Sequence, residues 1–280
     1  MRTVIRGAEL RMLLAEARRA GRRIGFVPTM GNLHAGHHSL ISLAREKSDL
    51  TIASVFVNPT QFGPSEDFAR YPRTPDADAA GLAAQGCDVM FLPTVEELYP
   101  LGAAQAVQVR VPGLSEILEG AIRPGHFDGV ATVVAKLFNL VQPDLAVFGQ
   151  KDYQQLLVVR RMATDLAFPI EILAAPIVRE ASGLAMSSRN QYLDADQRER
   201  AAAIHATLCW MVEAAAAGRT HAEIEHVALT QLHEAGLVPD YAVIRRAADL
   251  GEPVAPDDAA VALVAARLGT TRLIDNLLLD

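Results

Sequence analysis

Short runs rich in Val, Ile and Phe recur along the first two thirds of the chain, at residues 24–27, 50–57, 88–92, 145–148 and 170–173. Each run predicts a buried strand. Between them, residues 38–47, 75–85, 127–141 and 153–166 carry apolar positions at helical spacing. Strands that alternate with helices need crossover connections, and so form a parallel sheet covered on both faces. The expected fold class is α/β, a Rossmann-like doubly wound parallel sheet. The opening segment, residues 1–20, contains Glu9 and Glu16 and lacks a long apolar run. It reads as an amphipathic helix and not as a targeting peptide.

After about Pro176 the pattern changes. Ala-rich helical stretches at 194–217 and 222–235 precede strand-like segments at 241–244, 261–265 and 272–274. The expectation is a Rossmann-like nucleotide- and substrate-binding domain over residues 1–175 and a smaller α+β C-terminal domain over 176–280. No Gly/Ser linker separates the two, so the boundary is soft.

Composition narrows the partners. A 280-residue chain that is 50% hydrophobic can bury a large core, and a net charge of -7 disfavours extended contact with nucleic acid. Small molecules are the expected partners. No apolar run approaches the roughly 18 residues that would span a bilayer. Cys87 and Cys209 form no CxxC pair, which points away from disulfides and thiolate metal sites and fits a reducing, cytoplasmic setting.

Three segments carry phosphate chemistry. The run 24–27 ends in PTMGNLHAGH, residues 28–37, before a helix. Gly31 and Gly36 let a ligand approach the backbone, and the helix N-terminus offers free N–H groups to an anion. His34 and His37, three residues apart, can share a face and donate to phosphoryl oxygens. The same pair also suits a plain helix cap, or, with His38, a metal-dependent hydrolase. Residues 148–152, FGQKD, place Gly149, Gln150, Lys151 and Asp152 at another strand-to-helix junction, where Lys151 can reach phosphate and Asp152 can cap the helix. Met186, Ser187, Ser188 and Arg189 supply two hydroxyls and a guanidinium in sequence. All three are expected to grip one polyphosphate. Asn58 and Gln61 in FVNPTQF, with Gln155 beyond Lys151, are candidate amides for a substrate's hydroxyl and carboxylate groups. Residues 123–129, RPGHFDG, read equally as a basic flap or a capped turn, and 71–74, YPRT, as a corner.

Taken in order, PTMGNLHAGH, FVNPTQFGPSEDFARYPRT, RPGHFDGVATVVAKLFNLVQPD, FGQKDYQQL and MSSRN resemble the pantoate-β-alanine ligase family of the HIGH/KMSKS nucleotidyltransferase superfamily. The resemblance covers most of the first two thirds of the chain; the C-terminal third matches only in size and character. It implies an ATP-dependent ligase that makes pantoyl adenylate and pyrophosphate from pantoate, then releases AMP as β-alanine attacks. Mg2+ would accompany ATP, and a homodimer would be expected. It further implies ATP binding by Met30, Gly31, Asn32, Leu33, His34, Ala35, Gly36 and His37, by Gly149, Gln150, Lys151 and Asp152, by Val178, and by Met186, Ser187, Ser188 and Arg189. His34, His37, Lys151, Ser187, Ser188 and Arg189 would be catalytic, with His37 the family's proton donor. Gln61 would touch pantoate and β-alanine, and Gln155 pantoate. Amide formation from an acyl adenylate needs a free amine more than an acid, so the chemistry itself assigns His37 to phosphate stabilisation. Competing readings are another HxGH nucleotidyltransferase and a non-catalytic nucleotide sensor.

Overall fold

The computed structural model describes residues 1–64, 66–255 and 258–279, so Ser65 of the FVNPTQFGPSEDFARYPRT segment lies outside the described residues. The chain folds as two compact units, Met1–Gln150 with Gln154–Pro176, and Lys151–Tyr153 with Ile177–Asp280.

In the first unit the elements run β1 (Arg2–Val4), α1 (Gly7–Arg19), β2 (Ile24–Thr29), α2 (Ala35–Lys47), β3 (Leu50–Val55), α3 (Pro75–Ala84), β4 (Val89–Phe91), α4 (Val95–Leu98), α5 (Glu119–Ile122), α6 (His126–Val141), β5 (Leu145–Gly149), α7 (Tyr153–Asp165) and β6 (Glu171–Ala175). The strands form one sheet in the order β1-β4-β3-β2-β5-β6, with every neighbouring pair parallel. Side chains alternate across it. Phe26, Ile52, Phe91, Ala146 and Phe148 join the core made with α1, α6 and α7. Their strand neighbours Val27, Ala53, Met90, Leu145 and Val147 pack instead with Leu40, Ile41, Ala44 and Leu82 of α2 and α3. Strands buried on both faces read as continuous apolar runs, which is why the sequence shows them so plainly.

Residues 1–20 differ from the single helix expected. Arg2–Val4 is a strand that pairs with β4, Val4 opposite Phe91, and α1 starts only at Gly7. A three-residue edge strand has no periodicity of its own; the fully buried Val4 and the β4 ladder make it a strand.

The second unit contains α8 (Ala195–Ala201), α9 (Ala203–Ala216), α10 (His221–Glu234), and an antiparallel sheet β7-β8-β9 of Val238–Arg246, Ala260–Leu268 and Thr271–Leu279. The stretch 194–217, expected as one helix, breaks at Ala202, whose N–H bonds three residues back to Glu199. Ile204, Leu208 and Met211 of α9 and Ile224, Ala228 and Leu232 of α10 pack on Ala262, Val264 and Ala266 of β8. Gly269, at φ 58°, lies in the two-residue link between β8 and β9. Among the described residues no helix is long and apolar enough to cross a membrane.

Candidate active site

The sheet order reverses between β2 and β5: β3 and β4 follow on one side, β6 on the other. β2 pairs with β3 through Thr29, yet with β5 only at Gly25 and Phe26. The carboxyl ends of β2 and β5 thus form the switch-point crevice at which open α/β sheets bind ligands. Residues 30–34 leave from one strand end, Gly149 and Gln150 from the other.

The turn after β2 needs two successive left-handed residues, Gly31 at φ 82° and Asn32 at φ 51°. A Cβ on Gly31 would lie 2.8 Å from Asp78 Oδ2 and 3.0 Å from Val55 Cγ1. Asp78, in the first turn of α3 and only 2% exposed, accepts the N–H of Asn32 at 3.1 Å and that of Leu33 at 2.8 Å. Charge-assisted bonds of this kind are the stronger ones, and they hold the backbone in its unusual conformation. Sequence reasoning missed Asp78. Beside Asp76 it reads as an ordinary acid in a helix first turn, and only the fold brings it to residues 32 and 33.

His34 is the N-cap of α2. Its Nδ1 accepts the N–H of Gly36 at 3.1 Å, while His37 Nδ1 accepts the N–H of His34 at 3.4 Å. The two rings stand 4.1 Å apart between centroids, tilted by 46°. This is a reciprocal capping box built from imidazoles. A neutral ring whose Nδ1 accepts a hydrogen bond carries its proton on Nε2, so both histidines are Nε2–H donors at the head of a helix. Capping and phosphate binding are therefore compatible uses of the same pair. His38 departs from its neighbours: its Nε2 is buried against Gly81 of α3, where an added Cβ would lie 2.9 Å away. Among the described residues no group of three His, Cys, Asp or Glu side chains can hold a metal, which leaves the His34, His37 and His38 hydrolase without a ligand set.

The turn after β3 meets the turn after β2. Gln61 Nε2 donates to Met30 Sδ at 3.1 Å, and Gln61 Oε1 accepts from Asn58 Nδ2 at 3.1 Å. Asn58 is almost fully buried and engaged: its second amide hydrogen goes to the Gly129 carbonyl, and its Oδ1 accepts from Tyr99 and Thr60 hydroxyls. It therefore orients Gln61 and organises the short 3₁₀ turn Pro59–Gln61. α6 approaches that turn so closely that a Cβ on Gly129 would sit 2.3 Å from the Thr60 carbonyl oxygen.

Residues 123–129 form a tied turn, with Gly125 left-handed at φ 81° before α6. Arg123 grips both carboxylate oxygens of Glu66 at 2.7 Å, and His126 bonds the Gln61 carbonyl at 2.8 Å. Burial and the Arg123 guanidinium bring the His126 pKa down to about 4, so the ring is neutral. Burial opposes ionisation of Glu66 most strongly, but the hydrogen bonds and charges around it, those of Arg123 foremost, together lower that carboxyl. The same turn borders a cavity of about 310 Å³ lined also by Asp128 and Thr132. Residues 71–74 are a corner: Arg73 donates to the Tyr71 and Phe68 carbonyls and covers the Phe68 ring. Gln155 is half-buried in α7, while its neighbour Gln154 closes the 114–119 loop through Leu114, Ile117 and Glu119.

In the second unit, Val178 and Met186 face each other across a small hairpin, Met186 N–H donating to the Val178 carbonyl at 2.9 Å. Ser187 caps the 3₁₀ turn Ser188–Tyr192, its Oγ accepting the Arg189 N–H at 3.2 Å. Buried Asn190 anchors the loop to Glu180 and the Ala185 carbonyl. Lys151 belongs to this unit; its carbonyl accepts from Asn276 Nδ2 at 2.9 Å, and Tyr153 OH donates to the Ala247 carbonyl. In the first unit, burial pushes the Cys87 thiol up to about 11, which removes it as a nucleophile.

A histidine-capped helix at the switch point of a parallel sheet defines a nucleotide-binding α/β enzyme of the HxGH type. The profile of the Pantoate-beta-alanine ligase family matches residues 2–278, and the chain belongs to that family. It is 60% identical over 277 residues to a pantothenate synthetase of Xylella fastidiosa (strain M12), covering 98% of each chain. It is 59% identical over 268 residues to one of Stenotrophomonas maltophilia (strain R551-3), covering 96% of each. Its structure is similar to the crystal structure of pantothenate synthetase from Thermus thermophilus, with TM-score 0.91, 48% identity and 99% of each chain covered. It is also similar to the pantoate-beta-alanine ligase of Francisella tularensis complexed with beta-gamma ATP and beta-alanine, with TM-score 0.84, 32% identity, and coverage of 99% of this chain and 97% of that one.

Proposed function

We propose that this ligase activates pantoate and condenses it with β-alanine through the groups described above. The pantoate carboxylate attacks the α-phosphorus of ATP; the bond to the bridging oxygen breaks and pyrophosphate leaves. The β-alanine amine then attacks the acyl carbon, AMP departs, and the amine proton goes to solvent or to the departing phosphate. The observation that carries this reading is the His34 and His37 pair, whose Nδ1 atoms are both engaged by backbone N–H groups at the head of α2. Their Nε2–H donors neutralise charge that grows on the phosphoryl oxygens in the first step. His37 acts in this role, by hydrogen bonding, and not as a proton source for amide formation.

Met30, Gly31, Asn32, Leu33, Ala35 and Gly36 supply the backbone cradle, and Gly149, Gln150, Lys151 and Asp152 the second ATP segment. Val178, Met186, Ser187, Ser188 and Arg189 supply the third. The carboxylate and hydroxyls of pantoate are read by Gln61 and Gln155, with Asn58 acting through Gln61. The Francisella tularensis relative's complex with beta-gamma ATP and β-alanine supports the nucleotide and the amine of this substrate set. Mg2+ would accompany ATP, with the exposed Asp152 of the second ATP segment as the carboxylate that would help to hold it, and it would supply charge neutralisation at the triphosphate. The enzyme is cytoplasmic and homodimeric in this reading.

AMP formation with ATP, pantoate and β-alanine, each omitted in turn, tests the reaction. Pyrophosphate release that needs pantoate, and AMP release that needs β-alanine, are expected. AMP transfer to a phosphorylated substrate instead would favour another HxGH nucleotidyltransferase, and binding without turnover a nucleotide sensor.

A further inference from the structure

The C-terminal strand β9 carries two adjacent polar residues, Asp275 and Asn276, that are 4% and 1% exposed. Buried polar groups in a strand cost stability unless they are bonded, and these two are bonded to segments with one thing in common. Asn276 Nδ2 donates to the Lys151 carbonyl at 2.9 Å. Asp275 accepts from both terminal nitrogens of Arg179, at 2.5 and 3.1 Å, and its Oδ1 also accepts the Asn276 N–H at 2.8 Å. Arg179 stands beside Val178, bridges Ala185 just before Met186, and donates to the Gly183 carbonyl at 3.1 Å in the hairpin tip. One pair of side chains on a paired strand thus holds both the Lys151 segment and the hairpin that leads into Ser187 and Arg189. Asp275 lies opposite Val264 and Asn276 opposite Leu263, so the support is the sheet itself.

We infer that Asp275 and Asn276 are positioning residues for ATP: they fix the spacing between Lys151 and the 178–189 hairpin before nucleotide binds. This rests on the reading of Lys151 and Ser187 to Arg189 as ATP-binding groups. Neither residue touches the reacting atoms in this scheme. Preorganised charges act at full strength only if they need not move on binding, so loosening the brace is felt as weaker use of ATP.

The test is pantoate-dependent exchange of labelled pyrophosphate into ATP, on the full chain. Asn276→Asp keeps shape but sets a carboxylate oxygen against the Lys151 carbonyl. Loss of one buried hydrogen bond predicts a rise in KM for ATP of about tenfold, with KM for pantoate within about twofold of the parent. In a Lys151→Ala background the same substitution should add less than about twofold, because its effect runs through the lysine. Arg179→Lys, which keeps the charge but loses the two-pronged grip on Asp275, should raise KM for ATP in the same way if Asn276→Asp does not fold. Unchanged KM for ATP in either folded variant, or full additivity with Lys151→Ala, overturns the inference. If Lys151→Ala and Arg189→Ala themselves leave KM for ATP unchanged, the ATP-binding reading has failed instead.

Discussion

Gly129→Ala is the sharpest perturbation of the substrate side. The added methyl would lie 2.3 Å from the Thr60 carbonyl oxygen, 2.6 Å from its carbon and 2.7 Å from Gln61 Cα, all backbone atoms that cannot rotate aside. Ordinary carbon-to-oxygen contact is near 3.3 Å, so the turn must retreat by roughly 1 Å. Alanine favours a helix interior by about 1 kcal/mol over glycine, but overpacking costs about 1–3 kcal/mol, so net destabilisation is expected. The larger effect is on function. Asn58 donates to the Gly129 carbonyl and to Gln61, so the shift reaches the Gln61 amide directly. A misplacement of this size costs about a hundredfold in kcat/KM. Steady-state pyrophosphate release at varied pantoate, beside a urea melt, gives both numbers. A folded Gly129→Ala enzyme with parental kcat/KM for pantoate would refute the claim that α6 sets the position of Gln61.

Other expectations follow from the same geometry. Asp78→Asn replaces an acceptor of two N–H groups with an amide that can serve only one, and should cost about 1.5–3 kcal/mol in a denaturant melt while weakening ATP binding by calorimetry. His37→Asn keeps an acceptor for the His34 N–H but removes the imidazole donor; pyrophosphate exchange should fall by about 10²–10³ with little change in melting, and normal exchange would reject the phosphate role. His126 titrates at about 4 when folded against 6.5 ordinarily, so the unfolded chain binds the extra proton first and stability is lost as pH falls from about 6.5 to about 4. The loss amounts to up to about 3 kcal/mol, and His126→Gln should flatten that part of a stability profile.

What the sequence determined by itself follows from local physics. Strands buried on both faces must be continuously apolar, so β2, β3, β4 and β5 were legible to within a few residues, as was the half-buried edge strand β6, and with them the parallel α/β class. The turn chemistry was legible for a similar reason: glycine in a strand-to-helix turn and histidines at a helix start stand close together in the chain, where a helix N-terminus can receive an anion. Tertiary structure alone decided which side chains act through others. Asp78 is 46 residues from Asn32 in the chain, and Asn276 is 125 from Lys151, so no periodicity links either pair. β1 likewise exists only because β4 offers it a ladder. Asn58 had the composition of a substrate ligand, yet its amide is consumed inside the protein, because folding placed Gly129, Tyr99 and Gln61 around it. Hydrogen bonds are short and directional, and the distances that make them are set by packing between remote segments and not by spacing along the chain.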